Sequence, residues 1–381
     1  MADLASEQAT LEMKFISADS HIVEPGNCYR DHIDPKYRER APHIEPGPKG
    51  GDVYIMEGFQ PFPSAGGACA GMNLRSARFE ELTLEDVHTG AWDPKQRLLD
   101  QDRDGVSAEI LYPTLGMIIC SLDDVDYKSA CMQAYNRWLQ EFVSHAPDRL
   151  FGLGQTAVRS VSDAIDDLQA ISEMGFKGVL MPADPCTKED YDDPVFDPLW
   201  KAAVQLDLPI SFHILTSGRD QRNFMTGNTI RGPKANNMTA LMRANQDIIG
   251  TFIWGNVFER HPDLKLVCVE ADAGWAPHLM QKMDHYYHDR GDLKIDIMPK
   301  PPSEYFKKNV YLTFQDDWVA LELLHHMNPR QLLWANDFPH PDACWPNSHH
   351  LLAKHTQHLN EKEKRWVLRE NVIDLYGLTT H

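Results

Sequence analysis

Two side chains that commonly bind metal ions lie two residues apart near the start of the chain. Asp19 closes the short apolar run FISAD, and His21 follows it after one serine. Alternate residues of a β-strand project to the same side, so this pair could reach one ion together. Because a D-x-H triplet often arises by chance, the pair predicts a metal site only if other strands end in similar residues.

Two further candidate ligands stand at the ends of later apolar runs. His213 closes LPISFH and Asp337 closes QLLWAND. If these runs are parallel strands of a closed barrel, their carboxyl ends meet at one rim, where the catalytic residues of such barrels lie. Imidazole and carboxylate groups together are typical ligands of divalent transition metals. The pattern therefore predicts one metal site formed by Asp19, His21, His213 and Asp337.

Glu270 is a candidate for a further role at the same rim, because it closes the run LKLVCVE. Its carboxylate could coordinate the same ion, bridge to a second ion or act as a general base. The alternative is a glutamate that caps a helix or forms an ion pair. An unpaired buried carboxylate is expensive, which favours a functional role.

His340 lies between the two prolines of DFPHPD at 337–342, which stiffen the segment and would hold the ring over the barrel mouth. It is a candidate partner of a ligand or a ligand of a second ion, and the alternative is a loop histidine bonded to the backbone. Asp337, Glu270 and His340 are the predicted catalytic residues. Glu270 and His340 also join the predicted metal ligands.

Eight apolar runs separated by helix-length segments would position these residues. Each run is almost continuously apolar, as a parallel strand buried on both faces should be. An open doubly wound sheet would need a phosphate-binding glycine turn after the first strand, and none follows Asp19. We therefore predict an α/β fold, a (β/α)8 TIM barrel, with strands at 15–19, 106–112, 150–156, 177–181, 208–213, 264–270, 310–314 and 331–337.

Two stretches interrupt the repeat of strands and helices. Residues 30–92 are rich in Pro and Gly and form an insertion after strand 1, and residues 214–237 form a polar loop after strand 5. Both would emerge at the catalytic face, as a lid and an active-site loop, or else as surface excursions or subunit contacts. Arg219 and Arg222 in the second stretch could bind a substrate carboxylate through bidentate contacts, or be solvated.

Composition narrows the possible partners and the setting of the protein. The chain has 381 residues, of which 42% are hydrophobic, and 37 basic against 56 acidic residues give a net charge of −19. Such a charge would repel nucleic acid and anionic membranes. No membrane span or secretory leader is recognisable, and seven cysteines without a C-x-x-C pair predict free thiols. We expect one cytoplasmic domain, 1–381, that acts on a small molecule.

Several motifs resemble one known family over nearly the whole chain. They are ADSHIVEP at 18–25, APDRLFGL at 146–153, GFKGVLM at 175–181, HPDLKLVCVE at 261–270 and WANDFPHPD at 334–342. The chain resembles the amidohydrolase-2 group, the relatives of aminocarboxymuconate semialdehyde decarboxylase and the resorcylate-type decarboxylases. The resemblance implies a distorted TIM barrel, a homodimer or higher oligomer, and a divalent metal, usually zinc or manganese, at the positions matched by Asp19, His21, His213 and Asp337.

The chain departs from that family pattern after strand 6. Where the decarboxylases have a histidine followed by glycines, this chain has the sequence EADAGW at 270–275. The family pattern implicates that histidine in activating water or protonating the substrate, so a carboxylate changes the electrostatics of the site. Six nitrogen and oxygen ligands also exceed what one catalytic ion with an open position needs. A site with two ions is therefore a further prediction.

Three functions remain open from the sequence. The first is hydrolysis or nonoxidative decarboxylation of a small carboxylate-bearing substrate, with the metal as Lewis acid and Asp337 as proton acceptor. The second is a dinuclear non-haem iron or iron–manganese monooxygenase on the same fold, with Glu270 bridging the ions. The third is a scaffold subunit without activity, since a fold alone does not establish catalysis.

Overall fold

The computed structural model describes residues 11, 13–216, 233, 235–290 and 298–380. Its strands alternate with helices along most of the chain. The strands are β1 (Phe15–Ile22), β2 (His43–Pro46), β3 (Asp52–Ile55), β4 (Phe62–Pro63), β5 (Val106–Pro113), β6 (Leu150–Gly152), β7 (Gly154–Gln155), β8 (Val179–Leu180), β9 (Ile210–His213), β10 (Leu266–Val269), β11 (Val310–Phe314) and β12 (Leu332–Trp334).

Nine of these strands build a distorted parallel (β/α)8 barrel. The order β1-β5-β6 forms one parallel ladder and β7-β8-β9-β10-β11-β12 forms another. β6 and β7 act as one barrel strand that changes partners at Leu153, whose N–H donates to Leu111 O at 3.1 Å. At the other junction, Asp337 N–H donates to Asp19 O at 3.0 Å. The predicted barrel is confirmed, and these two interruptions are its distortion.

Helices cover the outside of the barrel and cap its ends. Local signals explain several of their starts: Asp93 accepts hydrogen bonds from the backbone of Lys95 and Gln96, and Pro94 occupies the first helical position. The α-helices are Cys28–His32, Pro94–Asp104, Leu115–Ile119, Val125–Val143, Val161–Glu173, Asp197–Gln205, Ala235–Ala240, Met242–Trp254, Val257–Arg260, Ala276–Asp289, Pro302–Asn309, Trp318–Glu322, Ser348–His355, Glu361–Arg365 and Asn371–Tyr376, with a π-helical turn at Trp366–Glu370.

Residues facing the barrel interior form a core of their own. Alternate positions of the strands supply it, so that Ile16 and Ala18 of β1 and Val267 and Val269 of β10 belong to one buried cluster. The opposite faces of the strands pack against the helices in a second, larger core. Among the described residues, no helix is both long and apolar enough to cross a membrane.

The insertion at 30–92 contains a small β-sheet that was not predicted from the sequence. No strand was predicted there, but β2, β3 and β4 form an antiparallel sheet in that order. The insertion also reaches the loop after β12, where Ala70 N–H donates to Pro339 O at 2.9 Å and Ala70 packs against Phe338 and Trp345. It therefore borders the barrel mouth, and its role as a lid stays a prediction.

Candidate metal centre

The first strand brings Asp19 and His21 to the barrel mouth. Both are fully buried, as is every residue of β1. His21 Nε2 lies 3.3 Å from Asp19 Oδ1, and its other ring nitrogen, Nδ1, lies 3.0 Å from Pro113 O. A bond to the carbonyl makes Nδ1 the donor, so Nε2 presents its lone pair to the mouth.

His213, the last residue of β9, faces the same point. Its Nε2 lies 3.5 Å from Asp19 Oδ1 and 3.2 Å from Glu270 Oε2, and the residue is fully buried. Its Nδ1 lies 2.9 Å from Ile214 O, so this ring too is held with Nε2 directed inward. Two separate strands thus present imidazole nitrogens to one carboxylate.

Asp337 and His340 come from the loop after β12 rather than from the strand itself. Asp337 was predicted to close the strand, but β12 ends at Trp334, and Asp337 adopts a left-handed conformation with φ of 57°. Its Oδ1 lies 3.3 Å from His21 Nε2 and 3.2 Å from His340 Nδ1. The His340 ring stacks on that of His21 with centroids 3.8 Å apart. The turn therefore returns both side chains to the mouth.

Glu270 also lies just beyond its strand, with φ of 59°. Its N–H donates to Thr313 Oγ1 at 2.9 Å, which fixes the turn, and its side chain is 15% exposed. Burial and then the neighbouring carboxylates of Asp337 and Asp19 raise the pKa of Glu270 well above its usual value. Two groups of close ligand atoms share Glu270 and His21, namely Asp19, His21, His213, Glu270 and His21, Glu270, Asp337, His340.

Six buried atoms at this point have no hydrogen-bond partner among the described residues. They are both carboxylate oxygens of Asp19, both of Asp337, and Nε2 of His21 and of His213. Buried polar groups in folded proteins are almost always bonded, because desolvation without a partner costs about 1–3 kcal/mol each. Four residues with such atoms fit a divalent cation, which would satisfy all of them at once.

Burial and pairing act against each other on the two aspartates. Burial raises the pKa of Asp19, but His213 and His21 lower it more, so that it stays well below its usual value. Burial likewise raises the pKa of Asp337, and His340 and His21 bring it below its usual value. Both aspartates are therefore carboxylates near neutral pH, and a cation next to them offsets their charge.

A layer of polar residues behind the centre was not found from the sequence. Glu24 is fully buried and accepts hydrogen bonds from the backbone of Leu115 and Gly116, both at 2.8 Å, next to Thr114. The Thr114 hydroxyl in turn lies 2.8 Å from His340 Nε2. Glu24 stands in the motif ADSHIVEP, which was the available signal.

A second part of this layer joins the first strand to the last. The Asn336 side-chain oxygen accepts hydrogen bonds from Ser17 Oγ at 3.1 Å and Ser20 Oγ at 2.9 Å. Its amide nitrogen donates to Asp104 Oδ2 at 3.3 Å. These residues were not predicted, because they flank the predicted ligands at the strand ends instead of being ligands themselves.

Arg219 and Arg222 lie outside the described residues. The seven cysteines are free, as predicted, and five of them are buried. The six predicted metal ligands are brought together, and their binding of an ion stays a prediction.

The fold and the site together define the class of protein, an enzyme built on a distorted (β/α)8 barrel with ligand-bearing strand ends. The chain belongs to the amidohydrolase family, whose family model matches residues 86–378. A curated relative, 2-amino-3-carboxymuconate-6-semialdehyde decarboxylase of Dictyostelium discoideum, is 25% identical over 302 residues, which cover 77% of this chain and 79% of the relative.

Solved structures share the fold at lower identity. An amidohydrolase from Mycobacterium avium subsp. paratuberculosis K-10 superimposes with a TM-score of 0.78 at 21% identity, covering 96% of this chain and all of the other. A 5-carboxyvanillate decarboxylase from Novosphingobium aromaticivorans DSM 12444, solved with manganese and 4-hydroxy-3-methoxy-5-nitrobenzoic acid, gives a TM-score of 0.67 at 18% identity, covering 98% and 97%. These likenesses establish the fold, and the family model establishes the family.

Proposed function

We propose that this protein is a metal-dependent decarboxylase that releases CO2 from a small carboxylate-bearing substrate. The observation that carries the proposal is the convergence of six unpartnered buried ligand atoms at the mouth of an amidohydrolase barrel. Decarboxylation is favoured over hydrolysis because a curated relative over most of the chain is named a decarboxylase.

Asp19, His21, His213 and Asp337 would hold the ion, with Glu270 at its edge. Manganese is the proposed ion, because carboxylates and imidazoles suit it and because the carboxyvanillate decarboxylase of the same fold contains it. When bound, such an ion supplies Lewis acidity that polarises a substrate oxygen.

The chain's own residues would supply the proton that decarboxylation requires. The bond to the carboxylate carbon breaks, CO2 leaves, and the remaining carbon takes up one proton. His340 Nδ1 lies 3.2 Å from Asp337 Oδ1 beside the centre, so the His340 imidazole would carry this proton while Asp337 holds the ion. Thr114 fixes the far nitrogen of the His340 ring. Arg219 and Arg222 are proposed to bind a substrate carboxylate.

A second candidate function is favoured by one observation, the carboxylate of Glu270, which belongs to both groups of close ligand atoms. Two ions bridged by Glu270 would suit the dinuclear iron monooxygenase predicted from the sequence. The relatives described above are named decarboxylases or amidohydrolases and lend this alternative no support.

The test combines metal content with product analysis. Protein purified without added metal is analysed by mass spectrometry for ions per chain, then loaded with Mn²⁺ or Zn²⁺ and incubated with aromatic and unsaturated carboxylic acids while CO2 is measured. We expect about one ion per chain, CO2 release, and at least about a 100-fold loss in Asp337→Asn. Asp263→Asn is the matched control, because Asp263 is an exposed aspartate before β10, away from the centre.

Other outcomes point to different functions. Hydrolysis of esters or lactones without CO2 release would replace the decarboxylase by a hydrolase. About two ions per chain including iron, with O2 consumption, would establish the oxygenase instead. Wild-type protein that retains no metal would overturn the metal centre.

A further inference from the structure

Arg97 is a fully buried arginine. Its guanidinium binds both β1 and the loop after β12, where the two parallel ladders of the barrel meet. Its Nε donates to Glu109 Oε2 at 2.6 Å, Nη1 donates to His21 O at 2.8 Å, and Nη2 donates to Phe338 O at 3.2 Å. The guanidinium also lies 4.7 Å from the centroid of the Phe338 ring. A buried charge is expensive unless it is paired and fully bonded, and Arg97 meets this condition.

Two of the three carbonyls that Arg97 binds belong to the segments that carry the candidate ligands, and the third is Gly90 O at 3.3 Å. His21 is itself one of these ligands, and Phe338 directly follows Asp337. These segments meet where the described residues form no ladder between β1 and β12. Two backbone bonds join them, His21 N–H to Phe338 O at 2.7 Å and Asp337 N–H to Asp19 O at 3.0 Å. The Asn336 side chain also connects them through Ser17 and Ser20, and Arg97 adds a charged connection at the same place.

We propose that Arg97 is a positioning residue that sets the separation between Asp19 and His21 on one side of the metal centre and Asp337 on the other. This inference rests on the proposed function, because it concerns the same centre. The planar fork of a guanidinium binds two separate carbonyls in one fixed geometry, which a lysine ammonium does not reproduce.

The orientation of Arg97 is fixed by its ion pair with Glu109. Glu109 Oε2 also accepts a hydrogen bond from Gln101 Nε2 at 2.9 Å, and Glu109 is buried in β5. Arg97 and Gln101 lie one turn apart in the helix Pro94–Asp104, so helix and strand hold the carboxylate between them. Among the described residues, Arg97 makes no hydrogen bond to a candidate ligand side chain, so it acts through the backbone that carries these side chains.

The test measures Mn²⁺ affinity by titrating metal-free, full-length protein, with the folded fraction determined by circular dichroism. Partners behind a metal ligand typically contribute 10–100-fold in affinity. We therefore expect Arg97→Met to bind Mn²⁺ about 10–100-fold more weakly and to lose it faster to a chelator. Arg97→Lys, which keeps the charge without the fork, should also be weaker than wild type.

Arg103→Met is the matched control, because Arg103 is exposed on the same helix and stacks on Trp345. We expect its Mn²⁺ affinity to equal that of the wild type. A purely structural role for Arg97 would lower the melting temperature and leave the affinity of the folded fraction unchanged, and that result would overturn the proposal. If Arg97→Met fails to fold, wild-type Mn²⁺ affinity in Arg97→Lys would also overturn the proposal. Wild-type protein without Mn²⁺ binding would instead overturn the proposed function.

Discussion

Two clusters of buried polar side chains occupy neighbouring layers of the barrel interior, and they differ in how their atoms are satisfied. In the inner layer, the Tyr112 hydroxyl lies 3.1 Å from Ser211 Oγ and 3.4 Å from the Tyr376 hydroxyl. In the layer at the mouth, Asp19 and His213 present atoms that have no hydrogen-bond partner within the described part of the chain. Since Ser211 and His213 are alternate residues of β9, one strand supplies both layers.

The difference indicates which of the two layers would bind a ligand. The inner polar groups satisfy one another and need nothing from outside the chain, as buried groups in a finished core should. The outer groups would leave several desolvated atoms unpaired, a cost that folding alone does not explain. Burial and polarity are common to both layers, so the unpartnered atoms are the distinguishing signal.

Removal of the His213 imidazole is expected to have the largest effect on metal binding by the outer layer. His213→Ala takes away one ligand and should weaken metal binding by more than about 100-fold, beyond the loss typical of an outer partner. Metal content per chain after purification, measured by mass spectrometry, is expected to fall to near zero. Full metal content in this variant would show that the outer layer does not hold the ion through His213.

The inner layer offers the control for that experiment. Tyr376→Phe removes one hydroxyl and leaves the bond between Tyr112 and Ser211 in place. It should lower the free energy of unfolding by about 1 kcal/mol and leave the metal content unchanged.

Metal removal is expected to have an intermediate effect, on stability. An ion that binds only the folded state at 100 times its dissociation constant adds about 2.7 kcal/mol, so a chelator should lower the melting temperature by roughly 3 °C for a chain of this size. Tyr376→Phe should respond to the chelator as the wild type does, and His213→Ala should not respond. Equal responses of wild type and His213→Ala would contradict a metal held by the outer layer.

Glu24 differs from the outer aspartates, because it is a buried carboxylate behind the centre and its oxygens accept hydrogen bonds. Tyr29 OH and Gly116 N–H donate to Oε1, and Leu115 N–H and Thr114 N–H donate to Oε2. Burial nevertheless raises the pKa of Glu24 above its usual value of 4.5. The folded state therefore binds this proton more tightly than the unfolded state, and stability from this group falls as pH rises through that window.

Glu24→Gln imitates the protonated form and removes this dependence. The free energy of unfolding of the wild type, relative to the variant, should decline as pH rises from about 4.5, by about 1.4 kcal/mol for each unit of pKa shift. Urea denaturation at a series of pH values measures the decline. A constant difference would show that Glu24 titrates as in the unfolded chain, and a difference that grows with pH would show that folding lowers its pKa; either result would contradict the prediction.

Much of the barrel could be predicted from the sequence, because its strands are continuous apolar runs with polar residues at their ends. The run at 106–112 became β5, and the run at 310–314 became β11 without change. The run at 331–337 was read as a strand up to Asp337, but pairing stops at Trp334. Spacing alone does not show where a ladder ends and a turn begins.

The remaining parts depend on contacts between residues far apart in the chain. Ser17 and Asn336 are bonded across 319 positions, and no local pattern marks such a pair. The small sheet of the insertion was not predicted, because the turn-forming residues of GPKGG at 47–51 indicate a loop and the strands β2 and β3 beside them are short.

The left-handed conformations at 270 and 337 carry different conformational costs. Aspartate tolerates this region of backbone space better than most residues, so Asp337 suits its turn as well as its proposed chemistry. Glutamate has no such advantage, and this conformation costs a residue with a Cβ about 1–2 kcal/mol, which glycine would avoid. Position 270 is thus a place where selection for greater stability and selection for a carboxylate oppose each other, as at many functional sites.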